Sequence, residues 1–218
     1  CDLGDRKSYM LVGMDVTGSK KNWTVYSDTL IDKGNMPSTV DEESAGCTAL
    51  AGMNGNLYLA GGAKKDGKKI TPSDETWSCP VKSGAVWKKK ASLPEGLYDG
   101  KVFAQNGKLY YVLGRNSKGL NYDVMAGSKW QKAGTLPKVL NTTLTQDVFE
   151  QNLVSCAVGL DAKGIVFGGA SSDGKGDTYR FNTSTGKTEA LSYTLWGKGQ
   201  ETAAYGSSSG NRFYAEYV

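Results

Sequence analysis

The chain has 218 residues, with 29 glycines, five prolines, four cysteines and no histidine. Without histidine it cannot build the Ser/His/Asp or Cys/His nucleophilic sites, or the H-E-x-x-H zinc site, of many hydrolases. The formal net charge of +4 is mildly basic, and because the lysines are spread along the chain it does not indicate a nucleic-acid partner. The high glycine content is typical of a turn-rich β protein.

The cysteines and the apolar runs say little about the fold or the function of the chain. Cys1, Cys47, Cys79 and Cys156 show no metal-binding spacing, so we expect no metal and no cofactor. One or two disulfides among the four cysteines remain open, but Cys47 and Cys156 are interpreted as buried free thiols and not as a pair. Cys1 has two interpretations, the lipid-anchored residue of a mature bacterial lipoprotein or a cleavage boundary. No apolar run approaches the roughly 18 to 20 residues of a transmembrane helix, so none is expected.

The first repeated element is a hairpin. An apolar run recurs about every 51 residues, a spacing typical of a repeated supersecondary unit. Its copies are 9–13, 58–62, 110–114, 165–169 and 213–217. Turn signals precede the later copies, and two of them, at 54–55 and 106–107, are Asn-Gly, which favours a type I′ hairpin. Runs of small residues precede the turns, at 45–51, 100–104, 153–158 and 202–205. The pattern predicts hairpins whose first strand carries small side chains.

Two further strands are predicted in each unit. Third strands that alternate aromatic and polar residues lie at 22–26, 75–79, 120–124 and 177–181. Fourth strands follow within 29–37, 86–94, 129–137 and, most weakly, 187–191. Two of these share the pattern W-x₅-L-P, which begins at Trp87 and at Trp130. Four short antiparallel strands in about 50 residues are typical of a propeller blade.

This unit resembles the kelch repeat. The residues that carry the resemblance are Gly61, Gly62, Trp87, Gly114, Trp130, Gly168 and Gly169. The resemblance implies an all-β, kelch-like β-propeller of four-stranded antiparallel blades, with four to five blades in this chain. We expect a single domain over 1–218, with approximate blades at 1–40, 41–94, 95–137 and 138–198, and a partial blade at 199–218.

The length fits this architecture awkwardly. At the observed period the chain holds about 4.3 blades. The predicted second strand occurs near both ends, at 9–13 and at 213–217, so the ends do not complement each other in one blade. We therefore favour a stretch of a larger propeller, completed by further chain or by another subunit, over a compact ring with irregular closure.

The candidate ligand-binding residues lie in the loops that follow the glycine doublets, because propellers bind ligands through loops on one face. They are Lys64, Lys65, Asp66, Arg115, Asn116, Ser171, Ser172, Asp173 and Trp196. The insertion at 138–152 is a further candidate segment. The lysine runs, including 88–90, also fit solvated loops and an edge strand kept soluble by charge.

These features favour a non-catalytic, extracellular or cell-envelope module that binds a protein or a glycan. Kelch-like propellers include a copper radical oxidase, but its histidine ligands have no counterpart in this chain. One alternative is an accessory domain of a longer secreted or cell-surface peptidase or glycosidase. A further alternative is a glycosidase that uses a carboxylate pair such as Asp99 and Asp161. The low arginine content and the Asn-Gly turns favour a bacterial source.

Overall fold

The structure, a computed structural model, describes residues 10–12, 22–26, 30–35, 49–66, 69–80, 85–137, 156–169, 177–192, 204–209 and 212–217. Every regular element within these ranges is a β-strand, and the strands of the sheets pair antiparallel in each pair whose register is defined. None of the described residues lies in a helix long and apolar enough to span a membrane.

The strands are short, as the sequence predicts. The first nine are β1 (Met10–Val12), β2 (Asn22–Tyr26), β3 (Leu30–Asn35), β4 (Ala49–Met53), β5 (Asn56–Ala60), β6 (Ala63–Asp66), β7 (Lys69–Pro72), β8 (Thr76–Pro80) and β9 (Lys88–Lys89). The next six are β10 (Lys101–Gln105), β11 (Lys108–Val112), β12 (Arg115–Asn116), β13 (Gly119–Leu120), β14 (Asp123–Ala126) and β15 (Gln131–Thr135). The last six are β16 (Cys156–Leu160), β17 (Gly164–Gly169), β18 (Asp177–Asn182), β19 (Lys187–Ala190), β20 (Ala204–Ser209) and β21 (Arg212–Tyr217).

Among the described residues, three sheets contain four strands each, and in each of them the spatial order follows the chain. Sheet A has the order β4-β5-β8-β9, sheet B the order β10-β11-β14-β15, and sheet C the order β16-β17-β18-β19. The described residues also form a three-stranded sheet, β1-β2-β3, and three two-stranded sheets, β6-β7, β12-β13 and β20-β21. The four-stranded antiparallel unit expected from the repeat is therefore present three times.

The Asn-Gly turns adopt the predicted conformation. Asn54 and Gly55 have φ values of 50° and 71°, and Asn106 and Gly107 have φ values of 51° and 69°. Positive φ at both central residues is the requirement of a type I′ turn, which matches the twist of the flanking strands. These turns set the register of the hairpins β4-β5 and β10-β11.

The chain divides into two compact units, and the division falls within sheet B. The first unit comprises Cys1–Lys118 and Met125–Gln131, and the second comprises Gly119–Val124 and Lys132–Val218. In the first unit β4 lies next to β10, and one apolar cluster joins sheet A to sheet B. Its buried members are Ala49, Ala51, Ala60, Leu93, Leu97, Val102, Leu109, Tyr111, Met125 and Trp130. The alanines of β4 have short side chains, which permits close approach of the two sheets.

The second unit has a core of its own. Its buried residues include Val158, Ile165, Val166, Phe167 and Phe181. Within this unit the small-residue strand β16 lies next to β20. The first strands of neighbouring sheets are thus adjacent in both units.

The third strand of sheet B begins later than the sequence predicts. It starts at Asp123 instead of position 120, because Leu120 belongs to the separate strand β13. The Asn121 side chain then accepts a hydrogen bond from the Asp123 amide at 2.7 Å, which forms the turn that leads into β14. In this register the buried Val124 takes the position that Thr76 has in sheet A.

The two W-x₅-L-P tryptophans have different environments. Trp130 is 2% exposed, and its Nε1 donates a buried hydrogen bond to Thr76 Oγ1 of sheet A at 2.9 Å. Its ring also meets the Tyr111 ring edge-on. Trp87 is only half-buried and packs against Leu59 of its own sheet. Equivalent positions of the repeat therefore make different contacts.

The fourth strands form charged sheet edges. Lys88 and Lys89 make up the edge strand β9, which agrees with the interpretation of this run as an edge kept soluble by lysine. Lys89 Nζ lies 2.6 Å from Glu75, and at the equivalent place in sheet B Lys132 Nζ lies 2.8 Å from Asp123. The hydrogen bond to Glu75 raises the pKa of Lys89.

Candidate ligand-binding loop face

Two of the three predicted loops contain small hairpins. In sheet A the chain leaves β5 at Gly61 and forms the hairpin β6-β7 before it enters β8. In sheet B it leaves β11 at Leu113 and forms β12 and β13 before β14. Each hairpin lies outside the four-stranded sheet, at the edge where the second strand ends. Neither hairpin contributes a strand to a four-stranded sheet.

A connector at 93–100, between β9 and β10, opens at the same edge because the strands alternate in direction. On one side the connector is hydrogen-bonded to the two residues that flank the first hairpin. The Gly62 amide donates to the Leu97 carbonyl at 2.9 Å, and the Leu97 amide donates to the Ser73 carbonyl at 3.0 Å. On its other side Tyr98 and Arg115 exchange two backbone hydrogen bonds, of 3.0 and 2.8 Å.

The connector therefore joins the base of the first hairpin to strand β12. We call the strands β6 (Ala63–Asp66) and β7 (Lys69–Pro72), the connector at 93–100 and the segment at 115–118 the loop face; all of them lie in the first unit. Of the candidate ligand-binding residues, it brings together the backbones of Lys64, Lys65, Asp66, Arg115 and Asn116. The same backbone hydrogen bonds hold these segments in a fixed arrangement.

Asn116 is committed to structural hydrogen bonds within the loop face. Its Nδ2 donates to Glu95 Oε2 at 2.9 Å, and its Oδ1 accepts from the Lys118 amide at 2.8 Å. The first bond links the segment at 115–118 to the connector, and the second closes a side-chain turn. Arg115, beside it, is half-buried, whereas Lys118 is exposed. The Lys118 side chain is therefore more accessible to a ligand on this face than the Asn116 side chain.

Glycines beneath the loop face surround the Tyr111 ring. A Cβ on Gly61 would overlap the Leu97 carbonyl oxygen and lie 2.9 Å from the Tyr111 hydroxyl. A Cβ on Gly100 or on Gly114 would overlap the Tyr111 ring itself. Gly61 and Gly62 also have positive φ, of 70° and 115°. These glycines therefore have a structural role in placing the loop face over the core.

The candidate residues of the third loop and Trp196 lie outside the described residues, as do Cys1 and Cys47. Those loop residues are Ser171, Ser172 and Asp173. The third doublet is described and lies in a different setting from the first. Gly168 and Gly169 are the last two residues of β17, where they pair with Thr178 and Asp177 of β18.

The two acidic residues of the glycosidase alternative fall in separate units. Asp99 lies in the connector, with φ of 58°, and Asp161 follows β16. Asp161 pairs with Arg180 Nη2 and accepts a 2.6 Å hydrogen bond from Arg180 Nε. Burial acts to raise the pKa of Asp161, but hydrogen bonds from Arg180 and two backbone amides outweigh it, so the pKa is lowered. A carboxyl group held ionised in this way is unsuited to act as a general acid.

Sequence reasoning missed the connector. Glu95, Leu97 and Tyr98 contribute to the loop face, yet their segment carried no motif beyond Leu93-Pro94. The strand order alone could have indicated this connector. In an up-and-down sheet, the chain leaves the second strand and the fourth strand at the same end of the sheet, so the connections that follow them lie together. Among the residues that the structure describes, no three His, Cys, Asp or Glu side chains group as a metal site.

No family model matches the chain, and no curated protein matches it. Solved structures do match, among 122 chains, and one of them is titled "Structure of YjhT". The two chains align with a TM-score of 0.57 at 15% identity, over 93% of this chain and 67% of that one. At this identity the likeness is one of fold. It agrees with an all-β chain of four-stranded antiparallel sheets.

Proposed function

We propose that this chain is a kelch-like β-propeller, or a stretch of a larger one, that binds a protein or glycan ligand without catalysis. The sheet order supports the propeller, since the four strands of each four-stranded sheet lie side by side in chain order. The adjacency of β4 with β10, and of β16 with β20, also supports it. In a propeller the first strands of successive blades lie side by side around the axis.

The observation that carries the binding role is the continuity of the loop face. Five backbone or side-chain hydrogen bonds fix one connector to the two residues that flank the first hairpin and to strand β12. A preformed surface of loops on a rigid scaffold is the usual arrangement of a recognition site. The proposal includes an extracellular or cell-envelope location and completion of the ring by further chain or by another subunit.

The non-catalytic part of the proposal has separate support. The chain has no histidine, which removes the residue most often used for general acid-base chemistry. Of the two carboxylates considered for a glycosidase, Asp161 is engaged by Arg180 and by the amides of Lys163 and Gly164. These contacts give it a structural role in the turn between β16 and β17.

A comparison of variants at opposite ends of sheets A and B tests this proposal. Binding to a glycan array and to a panel of extracellular proteins is measured for the wild type, for Arg115→Ala with Lys118→Ala, and for Asn56→Ala with Lys108→Ala. The second pair lies beside the Asn-Gly turns, at the far end of the strands. We expect the first pair to weaken binding at least tenfold and the second to leave it within twofold, with circular dichroism unchanged in both.

Two results would overturn the proposal. Equal loss from both pairs would place the ligand elsewhere than on the loop face. Glycan turnover that disappears in Asp99→Asn would show an enzyme and remove the non-catalytic role.

A further inference from the structure

The two Asn-Gly turns combine features that favour spontaneous deamidation. The chain contains two Asn-Gly pairs, 54–55 and 106–107, and all four residues are exposed. In deamidation the backbone nitrogen of the next residue attacks the asparagine Cγ, and a glycine there has no side chain to obstruct the attack. A carbon added to Gly55 or Gly107 would meet nothing within 4 Å, so neighbouring elements leave room at both turn tips.

The folded turn itself opposes the reaction. Asn54 and Asn106 have positive φ, of 50° and 51°, as in a type I′ turn, whose first central residue has ψ of about 30°. At that ψ the next nitrogen lies on the opposite side of the Cα–C bond from Cβ, whereas ring closure requires both on the same side. The asparagine must therefore rotate about its Cα–C bond, which opens the turn locally and moves its carbonyl oxygen.

The two turns differ in the residue that follows the Asn-Gly pair. Asn56 Nδ2 donates a hydrogen bond to the Asn54 carbonyl oxygen at 2.9 Å, so opening the first turn must break this bond. The equivalent position of the second turn is Lys108, which is exposed. A lysine ammonium group beside the turn favours the deprotonated amide nitrogen that makes the attack. Both differences make the second turn the more reactive one.

We propose that Asn106 is the principal deamidation site among the asparagines that the structure describes, and that the hydrogen bond from Asn56 protects Asn54. When the second turn opens, the Gly107 nitrogen loses its proton to solvent and bonds to Asn106 Cγ. The bond from Cγ to the side-chain nitrogen then breaks, and that nitrogen takes a proton from solvent and leaves as ammonia. Water adds to either carbonyl of the cyclic imide and gives aspartate or isoaspartate, so water is the only co-reactant.

The two products affect the hairpin β10-β11 differently. Aspartate keeps the backbone unchanged, and Asp-Gly is also a favoured type I′ pair, so the register is retained. Isoaspartate adds an atom to the main chain and lengthens a two-residue loop whose length sets that register. Either product replaces a neutral amide with a carboxylate, so the formal charge of the chain falls by one, from +4 to +3. The turn lies at the opposite end of the sheet from the loop face, so this inference does not depend on the proposed binding function.

The test exchanges the two residues that distinguish the turns. Wild type, Asn56→Lys, Lys108→Asn and the double exchange are incubated at mildly alkaline pH, in native buffer and in concentrated denaturant. Mass spectrometry of the two turn peptides gives the rate at each asparagine. Asn116, which is followed by serine, is the internal control for an asparagine without a following glycine. Circular dichroism checks that each variant is folded in native buffer.

In native buffer we expect Asn106 of the wild type to convert about two- to fivefold faster than Asn54, since an exposed hydrogen bond contributes about this factor. Asn56→Lys should speed conversion of Asn54, Lys108→Asn should slow conversion of Asn106, and the double exchange should reverse the order. In denaturant the two rates should become equal and exceed the native rates, because neither turn is formed.

Several outcomes would contradict the inference. Equal rates at the two turns of the folded wild type, or an order that the double exchange does not reverse, would remove the protection by Asn56. Native rates as high as those in denaturant would show that turn opening does not limit the reaction. Conversion of Asn116 ahead of Asn106 would place the principal site elsewhere.

Discussion

Sheets A and B share a left-handed backbone conformation where the chain leaves the second strand, but different residues adopt it. At the exit from the second strand, sheet A has Gly61 with φ of 70°, and sheet B has Leu113 with φ of 57°. Left-handed backbone suits glycine and costs other residues about 1 kcal/mol or more. Leu113 is 7% exposed, and its burial offsets that cost. Sheets A and B therefore share a backbone conformation at this junction without sharing the residue.

Sheet C differs from sheets A and B at the end of its second strand. It keeps the glycine doublet at Gly168 and Gly169, but these residues continue strand β17 and pair with β18. Sheet B thus keeps the left-handed exit without the first glycine, and sheet C keeps both glycines within the strand. The repeat motif identifies equivalent positions in the three sheets, but the conformation and contacts at each position depend on its surroundings.

The largest expected effect separates the two tryptophans of the W-x₅-L-P motif. Trp130→Ala removes a buried ring and its bond to Thr76, and should lower the free energy of unfolding by about 3–5 kcal/mol. Trp87→Ala removes a half-buried ring and should cost roughly half as much. Urea denaturation followed by circular dichroism measures both. Equal costs would mean that the position in the repeat, and not burial, sets the contribution.

The next effect tests the glycine at the exit of sheet A. Gly61→Ala should destabilise the protein by about 2–4 kcal/mol, because the methyl group meets the Leu97 carbonyl and the left-handed backbone adds strain. Gly55→Ala is the matched control, with φ of 71° and nothing within 4 Å of the added carbon, and should cost about 1 kcal/mol. Thermal unfolding of the two variants gives the difference, and identical melting temperatures would refute the steric argument.

A smaller, pH-dependent effect distinguishes the ion pairs of the sheets. Asp161 has a lowered pKa in the folded protein, so its stabilisation is present at neutral pH and is lost as acid protonates it, below about pH 4. Asp161→Asn should cost about 1–2 kcal/mol at pH 7, with allowance for partial exposure, and progressively less on acidification. Asp123→Asn, in the exposed pair with Lys132, should cost at most about 0.5 kcal/mol. Unfolding free energies measured from pH 7 to pH 3 test this, and a pH-independent cost for Asp161→Asn would contradict it.

The smallest expected effect is at Leu113, where we expect glycine to destabilise the protein less than alanine. Both Leu113→Gly and Leu113→Ala lose the buried side chain, but only glycine relieves the left-handed strain. The glycine variant should therefore be more stable than the alanine variant by about 1 kcal/mol. Denaturant midpoints decide the matter, and a more stable alanine variant would show that the strain at Leu113 is negligible.

Much of the fold could be predicted from local signals. Strand alternation, Asn-Gly turns and the repeat period depend on neighbours in sequence, and they placed β2 at its observed bounds and β18 within one residue. The late start of β14 was missed because Leu120 was counted with the third strand, although it pairs in a hairpin of its own. Pairing choices of this kind depend on the rest of the sheet.

The loop face was predictable only in part. The lysine-rich loop and Arg115 follow the glycine positions of the repeat, so they could be proposed as candidates from the repeat and the usual location of propeller binding loops. The role of Asn116 as a bridge to Glu95, and the contact of Tyr98 with Arg115, depend on a connector about 20 residues distant in sequence. No local pattern reports that proximity, and the structure alone supplies it.

The base of the first hairpin has a consequence for how such a protein can diversify. The Ser73 amide donates to the Gly62 carbonyl at 2.7 Å, so the two ends of the hairpin are fastened where they meet sheet A. Everything beyond that bond can change in length or sequence without disturbing the strands, since doubling a loop costs only about 0.6 kcal/mol. We therefore expect that the hairpin can be exchanged as a unit while the strands of sheet A stay the same.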